Sequence, residues 1–262
     1  MLTLSSADWD LFMALFFYPF VRILAWLSMD PLLGNRAAPN SVRVGLAFVL
    51  AMVIAPTLPP PPPVPLMSGD GLLLLLQQIA IGLALGFTLR VLFAAVEFAG
   101  QFMGLQMGLS MASLYDPING AQTPVLGQFL TITTVLMLFA MNGHHWVIAA
   151  LWQSFHDLPI AVAGSSAQGF AALVHWGGTI FSTGLHIALP VTAALLTANL
   201  AIGMMTRAAP QLNIFAVGFP ITLAAGFLVL YFSLLFFPAF IERFLGQALA
   251  VATGAMRGML VP

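Results

Sequence analysis

Cysteine and lysine are both absent from this chain of 262 residues. Without cysteine there are no disulfides, no thiolate metal sites and no thiol nucleophiles. Without lysine, seven arginines stand against eight acids for a net charge of −1, which offers a nucleic acid no electrostatic footprint, and none is expected as a partner. Charge of either sign is scarce: 6% of the residues carry one, against roughly 25% in an ordinary globular chain. The 49 residues between Asp157 and Arg207 carry none at all. A soluble domain built on such a stretch would show water large apolar patches, so that class is excluded.

What is present instead is apolar surface. Hydrophobic residues make up 61% of the chain and the mean hydropathy is +1.03. The composition predicts an all-α, polytopic integral membrane protein forming one membrane domain over residues 1–262. Apolar stretches fall at 9–28, 42–58, 72–96, 124–141, 173–205 and 214–238, giving an expectation of about six helical segments. The first ten residues carry Asp8 and Asp10 but no basic residue, so the first stretch reads as a retained span and not as a signal peptide. Prolines crowd residues 59–65, which predicts a stiff loop between spans. Pro190 sits within 173–205 and predicts a kink or strong tilt. The tail 239–262 gathers Glu242, Arg243 and Arg257 among apolar residues, as an interfacial helix would. With the N-terminus outside, Arg36, Arg43 and Arg207 fall in cytoplasmic loops, with Arg22 and Arg90 near the cytoplasmic ends of their spans.

One segment interrupts this pattern. In 100–122, Gly100, Gly104 and Gly108 recur every four residues and make a smooth stripe for close helix packing. Met103, Met107 and Met111 keep the same spacing beside it and supply flexible side chains that repack easily. Tyr115, Asp116, Pro117, Asn119 and Gly120 then form strong turn chemistry. Two readings follow: a tightly packed helix hairpin, or a Met-lined loop at membrane depth that is buried in protein or lines a cavity. Further on, Asn213, Gly218 and Pro220 interrupt an apolar run just after Pro210 and are expected at a subunit contact.

Other chemistry-bearing residues point less far. Arg90 and Glu97 are seven apart, on one helix face but about 10 Å apart along it, so each needs another partner or a headgroup to reach. Of the five histidines, His144 and His145 are adjacent and His175 and His186 are about 16 Å apart on a helix, so no metal or cofactor is expected. The Gly108-Leu109-Ser110 run resembles the nucleophile setting of an intramembrane serine protease, but Met111 stands where a small residue is needed. An ion-coupled small-solute transporter would use Arg90, Glu97 and Pro190, yet no internal repeat is visible.

Four stretches carry a resemblance to a known family. They are Gly104-Leu-Gln-Met-Gly-Leu-Ser-Met-Ala-Ser-Leu-Tyr-Asp-Pro117, Pro124-Val-Leu-Gly-Gln-Phe-Leu130, Asn142-Gly-His-His-Trp146 continuing to Ser154-Phe-His-Asp-Leu-Pro159, and Arg207-Ala-Ala-Pro-Gln-Leu-Asn-Ile-Phe-Ala-Val-Gly-Phe-Pro220. In this order the chain resembles the FliR/SctT family of type III secretion export-gate components, and the second and third stretches resemble the flagellar branch more than the virulence (injectisome) branch. The resemblance implies a FliP/FliQ-like helical-hairpin fold and a subunit without catalytic activity. It implies assembly with FliP-like and FliQ-like partners, beside FlhB-like and FlhA-like components, into a closed pore for unfolded flagellar proteins. It places that assembly in the bacterial inner membrane at the flagellar basal body, partly above the plane of the lipid. Hydropathy cannot distinguish a chain surrounded by apolar subunits from one surrounded by lipid, and this bears on the span count. Carried onto this sequence, the loop 108–120 is a plug: Ser110, Met111, Ala112, Ser113, Leu114 and Tyr115 would project into the channel, with Asp116, Pro117 and Gly120 shaping the turn.

Overall fold

The structure, a computed structural model, describes residues 6–34, 39–109, 124–161, 166–209 and 214–259. Among these residues the chain is helical and holds no strand. The helices are α1 (Ser6–Met29), α2 (Asn40–Ile54), α3 (Gly69–Gln106), α4 (Val125–Ala140), α5 (Gly143–Asp157), α6 (Ala167–Ala208), α7 (Ile214–Leu234) and α8 (Phe237–Met259), with a short 3₁₀ turn at Ala55–Thr57.

Local chemistry sets the boundaries. Pro39 precedes α2 at φ −55°, a fixed angle ready for a first helical turn. Proline crowding keeps residues 58–65 out of any helix. Ser68 then starts α3: its hydroxyl accepts the Gly71 N–H at 3.1 Å, satisfying one of the donors a helix start leaves unpaired, and Asp70 adds a negative charge in the same turn. Between α4 and α5 the chain turns at Met141 and Asn142, where Asn142 adopts φ +57°, the left-handed conformation that asparagine tolerates better than most residues. Both α6 and α7 carry an internal proline, Pro190 and Pro220, and each runs as a continuous helix through it.

The six expected apolar stretches are helical. Among the described residues, α2 with its 3₁₀ extension, α3, α6 and α7 are long and apolar enough to cross a membrane. The α4 and α5 pair makes a fifth only if taken as one broken span, and the apolar part of α1, Met13–Met29, is shorter.

The chain divides into two compact units. The first takes its residues from 1–91, 142–177 and 245–262, the second from 92–141 and 178–244. In the first, α1 buries Tyr18, Ile23, Trp26 and Leu27. Gly82 and Gly86 of α3 are the contact: a Cβ on Gly82 would meet the Arg22 carbonyl oxygen, and one on Gly86 would lie 2.8 Å from the Trp26 oxygen. Where helices sit in an apolar surrounding, close packing of this kind replaces exclusion of water as the source of adhesion. Later in the same unit, Ala255 and Met259 of α8 pack with Ala84 and Leu173, and the backbone of Gly169 lies so close to Ala255 that no side chain fits between. The buried positions of α8 in this unit run Leu245, Ala248, Ala252, Ala255, Met256 and Met259, a stripe at helical spacing. The second unit buries Val96, Ala99, Met103 and Met107 of α3, Leu126, Leu130 and Leu138 of α4, and Ala188, Val191 and Leu195 of α6. There Gly184 of α6 lies against α3, where a Cβ would stand 2.5 Å from the Phe98 ring.

Candidate functional site

The segment singled out by its glycines and methionines begins where α3 ends. After Gln106 the backbone turns at Gly108, whose φ of +80° lies in the left-handed region that glycine enters without strain. Its N–H donates to the Leu105 carbonyl at 3.1 Å, closing the helix end. Two contacts to α7 hold this corner. A Cβ on Gly108 would stand 3.4 Å from the Phe219 ring, and Met107 is buried with its side chain over Gly226, where a Cβ would meet Met107 Cγ and Cε at 2.7 Å and Sδ at 2.9 Å.

The chain re-enters the described structure at Pro124, which leads extended into α4. Gly127 then meets Gly100 of α3, backbone on backbone, with 2.5 Å left for a Cβ on Gly100. Both ends of the segment 110–123 are therefore held by packed helices of the second unit. One turn further into α3 and α4, Met103 and Leu130 border a cavity of about 210 Å³ that is also lined by His186, Pro190, Leu230 and Phe237. Its walls are apolar except at His186 and Ser233, and a flexible methionine lies on one side.

The residues predicted from sequence fall into three groups. Ser110, Met111, Ala112, Ser113, Leu114, Tyr115, Asp116, Pro117, Gly120 and Asn213 lie outside the described residues. Gly100, Gly104 and Gly108 are described and play different parts: Gly100 is a backbone crossing, Gly104 has room for a Cβ with Leu126 Cδ1 at 3.9 Å, and Gly108 ends the helix. Gly218 is buried in α7 and Pro220 is exposed. Arg90 and Glu97 are both on the surface of the chain, and the carboxylate of Glu97 accepts a hydrogen bond from Gln101 Nε2 at 3.3 Å. Among the described residues no three histidine, aspartate or glutamate side chains gather as a metal-ligand group.

Sequence reasoning missed the polar centre of the first unit. Arg22, expected near a span end, is 0% exposed. Its guanidinium donates from Nε to Gln78 Oε1 at 2.7 Å, from one amino nitrogen to the Ser154 carbonyl at 2.8 Å, and from the other to the Leu158 carbonyl at 2.8 Å, with the Phe155 ring 4.2 Å away. Ser154 and Leu158 lie at the C-terminal end of α5, whose negative dipole end offsets a cation; the Ser154 carbonyl also accepts the Leu158 N–H at 3.0 Å. The available signal was the pairing of types: a lone arginine in one apolar run and the adjacent glutamines Gln77 and Gln78 in another. Asp30, which closes α1, is the second omission. It is 2% exposed; burial pushes its carboxyl up to about 6, although the N–H groups of Leu33, Leu32 and Gly34 favour the ionised form.

Comparison with known proteins places this architecture. Residues 13–248 match the family model described as bacterial export proteins, family 1. The flagellar biosynthetic protein FliR of Pectobacterium carotovorum subsp. carotovorum is 44% identical over 247 residues, covering 94% of both chains. FliR of Escherichia coli strain K12 is 42% identical over 226 residues, 86% of each chain. FliR of Bacillus subtilis strain 168 is 35% identical over 226 residues, 84% of this chain and 86% of its own. With nearly the whole length matched, and relatives of the same name at this identity, the chain belongs to the FliR family of bacterial export proteins.

Proposed function

We propose that this protein is a structural, non-catalytic subunit of the flagellar type III protein export gate in the bacterial inner membrane, at the flagellar basal body. The observation that carries this is the match at 44% identity over 94% of both chains to a protein named for flagellar biosynthesis. In this reading it assembles with FliP-like and FliQ-like subunits, beside FlhB-like and FlhA-like components, into a closed pore for unfolded flagellar proteins. Residues 110–115 are the plug, with Asp116, Pro117 and Gly120 shaping its turn. Arg90 and Glu97, on the chain's surface, meet a neighbouring subunit or the lipid headgroups, and Gly218 with Pro220 sits at a subunit contact.

The chemistry of the plug supports this assignment. A seal that must later admit many sequences should be apolar and adaptable, without a charge-specific contact, and Ser110 to Tyr115 carry no formal charge. A loop that moves must also be held firmly at both ends. Gly108 against Phe219 and Gly127 against Gly100 are such holds.

The test deletes residues 110–115 in cells that also make the partner subunits, with Ser110→Ala as control. The expected result is an assembled complex whose membrane conducts ions, while Ser110→Ala behaves almost as the parent. An assembled deletion complex that stays tight would overturn the plug assignment. Failure of the intact chain to restore swimming to a flagellated host lacking its own FliR would count against the flagellar assignment. Loss of one specific solute flux would favour a transporter.

A further inference from the structure

We propose that Asp30 is a proton-binding site controlling the corner that follows α1: with the proton bound the corner stays packed on Gly86, and losing the proton loosens it. The inference does not rest on the export reading, because what it predicts is read on the carboxyl itself.

The site is built from three observations. Asp30 follows Met29, the last residue of α1, and its N–H still donates to the Trp26 carbonyl at 2.9 Å, so the side chain belongs to a fixed helix end. Its Oδ2 accepts the Leu33 N–H at 2.7 Å and its backbone carbonyl accepts the Gly34 N–H at 3.1 Å, tying the turn 31–34 to it. Its Oδ1 is buried and has no hydrogen-bond partner. Across from it, α3 presents the backbone of Gly86, where a Cβ would stand 3.2 Å from the Asp30 nitrogen. A bare carboxylate oxygen in such a place is strongly disfavoured unless something neutralises it.

A proton suits this oxygen better than any other ligand. A metal ion needs several oxygen donors, and no ligand group forms among the described residues. The ionisable groups on the elements packed against α1 are Arg43 on α2, Asp70, Arg90 and Glu97 on α3, and Asp157 with three histidines on α5. Among the described residues none of these pairs with Asp30, and Arg22, two turns earlier, is committed to Gln78 and the end of α5. Desolvation dominates, and the carboxyl moves from 3.8 to about 6. The sign follows from this rise. Stability drawn from the bound proton is complete below the unfolded value of 3.8 and is lost as the pH climbs through about 6. At neutral pH the closed corner therefore holds an ion it disfavours, so its open form is more populated there than in mild acid.

The experiment uses the full chain in lipid nanodiscs with carbon-13 labelled aspartate. Infrared spectra should show one protonated aspartyl C=O band at about pH 5 that fades with a midpoint near 6. The band should vanish in Asp30→Asn and persist in Asp157→Asn. Hydrogen exchange at the Leu33 and Gly34 amides should rise with pH beyond the intrinsic chemical rate in the parent, and follow only the intrinsic rate in Asp30→Asn. Absence of the band at about pH 5, its survival in Asp30→Asn, or identical exchange curves for the two proteins would each overturn the proposal. If Asp30→Asn does not accumulate, the labelled parent and Asp157→Asn decide alone. A band near 6 shared by both supports the site; its loss in Asp157→Asn assigns the proton elsewhere.

Discussion

Gly100 of α3 and Gly127 of α4 meet through their backbones, so that a Cβ added to Gly100 would lie 2.5 Å from both the Cα and the nitrogen of Gly127. Neither helix can move a side chain aside, because no side chain is involved. Gly100→Ala should therefore push the helices apart, at about 1–3 kcal/mol, and lower the yield of intact protein from membranes. Gly104→Ala, with its nearest neighbour at 3.9 Å, should leave the yield unchanged. Equal yields for the two variants would show that the crossing at Gly100 is not tight.

The pair shows what spacing can and cannot say. Gly100, Gly104 and Gly108 share a helix face by sequence alone, and a close contact on that face was legible. Which of the three meets a neighbour was not, because that depends on where the partner helix crosses. Gly82 and Gly86 have the same four-residue spacing and make a close backbone approach to α1, yet nothing distinguishes them within a uniformly apolar run. Hydropathy located six apolar helical stretches but not α5, whose three histidines, glutamine and aspartate dilute its apolar run. It also treats arginine purely as a penalty, and so could not see that the end of α5 offers Arg22 two carbonyls.

Arg22 should be the least replaceable side chain of the first unit. Arg22→Met leaves Gln78 Oε1 and the Leu158 carbonyl without their donor in a sealed space, and a loss of about 1–3 kcal/mol for each is expected. Arg22→Lys should recover only a fraction, because an ammonium cannot span three acceptors in the fork geometry of a guanidinium. Thermal unfolding of the detergent-solubilised chain should rank the parent above Arg22→Lys and Arg22→Lys above Arg22→Met. Parent-like stability in the lysine variant would mean that charge alone suffices.

The turn at Gly108 gives a prediction with a built-in control. Its φ of +80° disfavours a side chain by about 1–2 kcal/mol, and the Phe219 ring at 3.4 Å adds crowding. Gly108→Val should be worse than Gly108→Asn, because asparagine enters the left-handed region more readily. Under the export reading, swimming should fall in the same order as stability. Indifference to the choice between valine and asparagine would show that backbone conformation is not what the position requires.

Gly226 separates a rigid contact from an adaptable one. A Cβ there meets Met107 at 2.7 Å, nearly as close as the clash at Gly100, but the atoms it meets belong to an unbranched side chain with three rotatable bonds. Gly226→Ala should thus be milder than Gly100→Ala, by at least about 1 kcal/mol on the overpacking scale. Combining Gly226→Ala with Met107→Ala should remove the clash and restore part of the lost stability, whereas Met107→Ala alone leaves a cavity and destabilises. The double-mutant cycle, read by thermal unfolding, should therefore give a favourable coupling between residues 107 and 226. A coupling of zero would mean that Met107 does not rest on Gly226, and the corner that launches residues 110–123 would have lost one of its two holds.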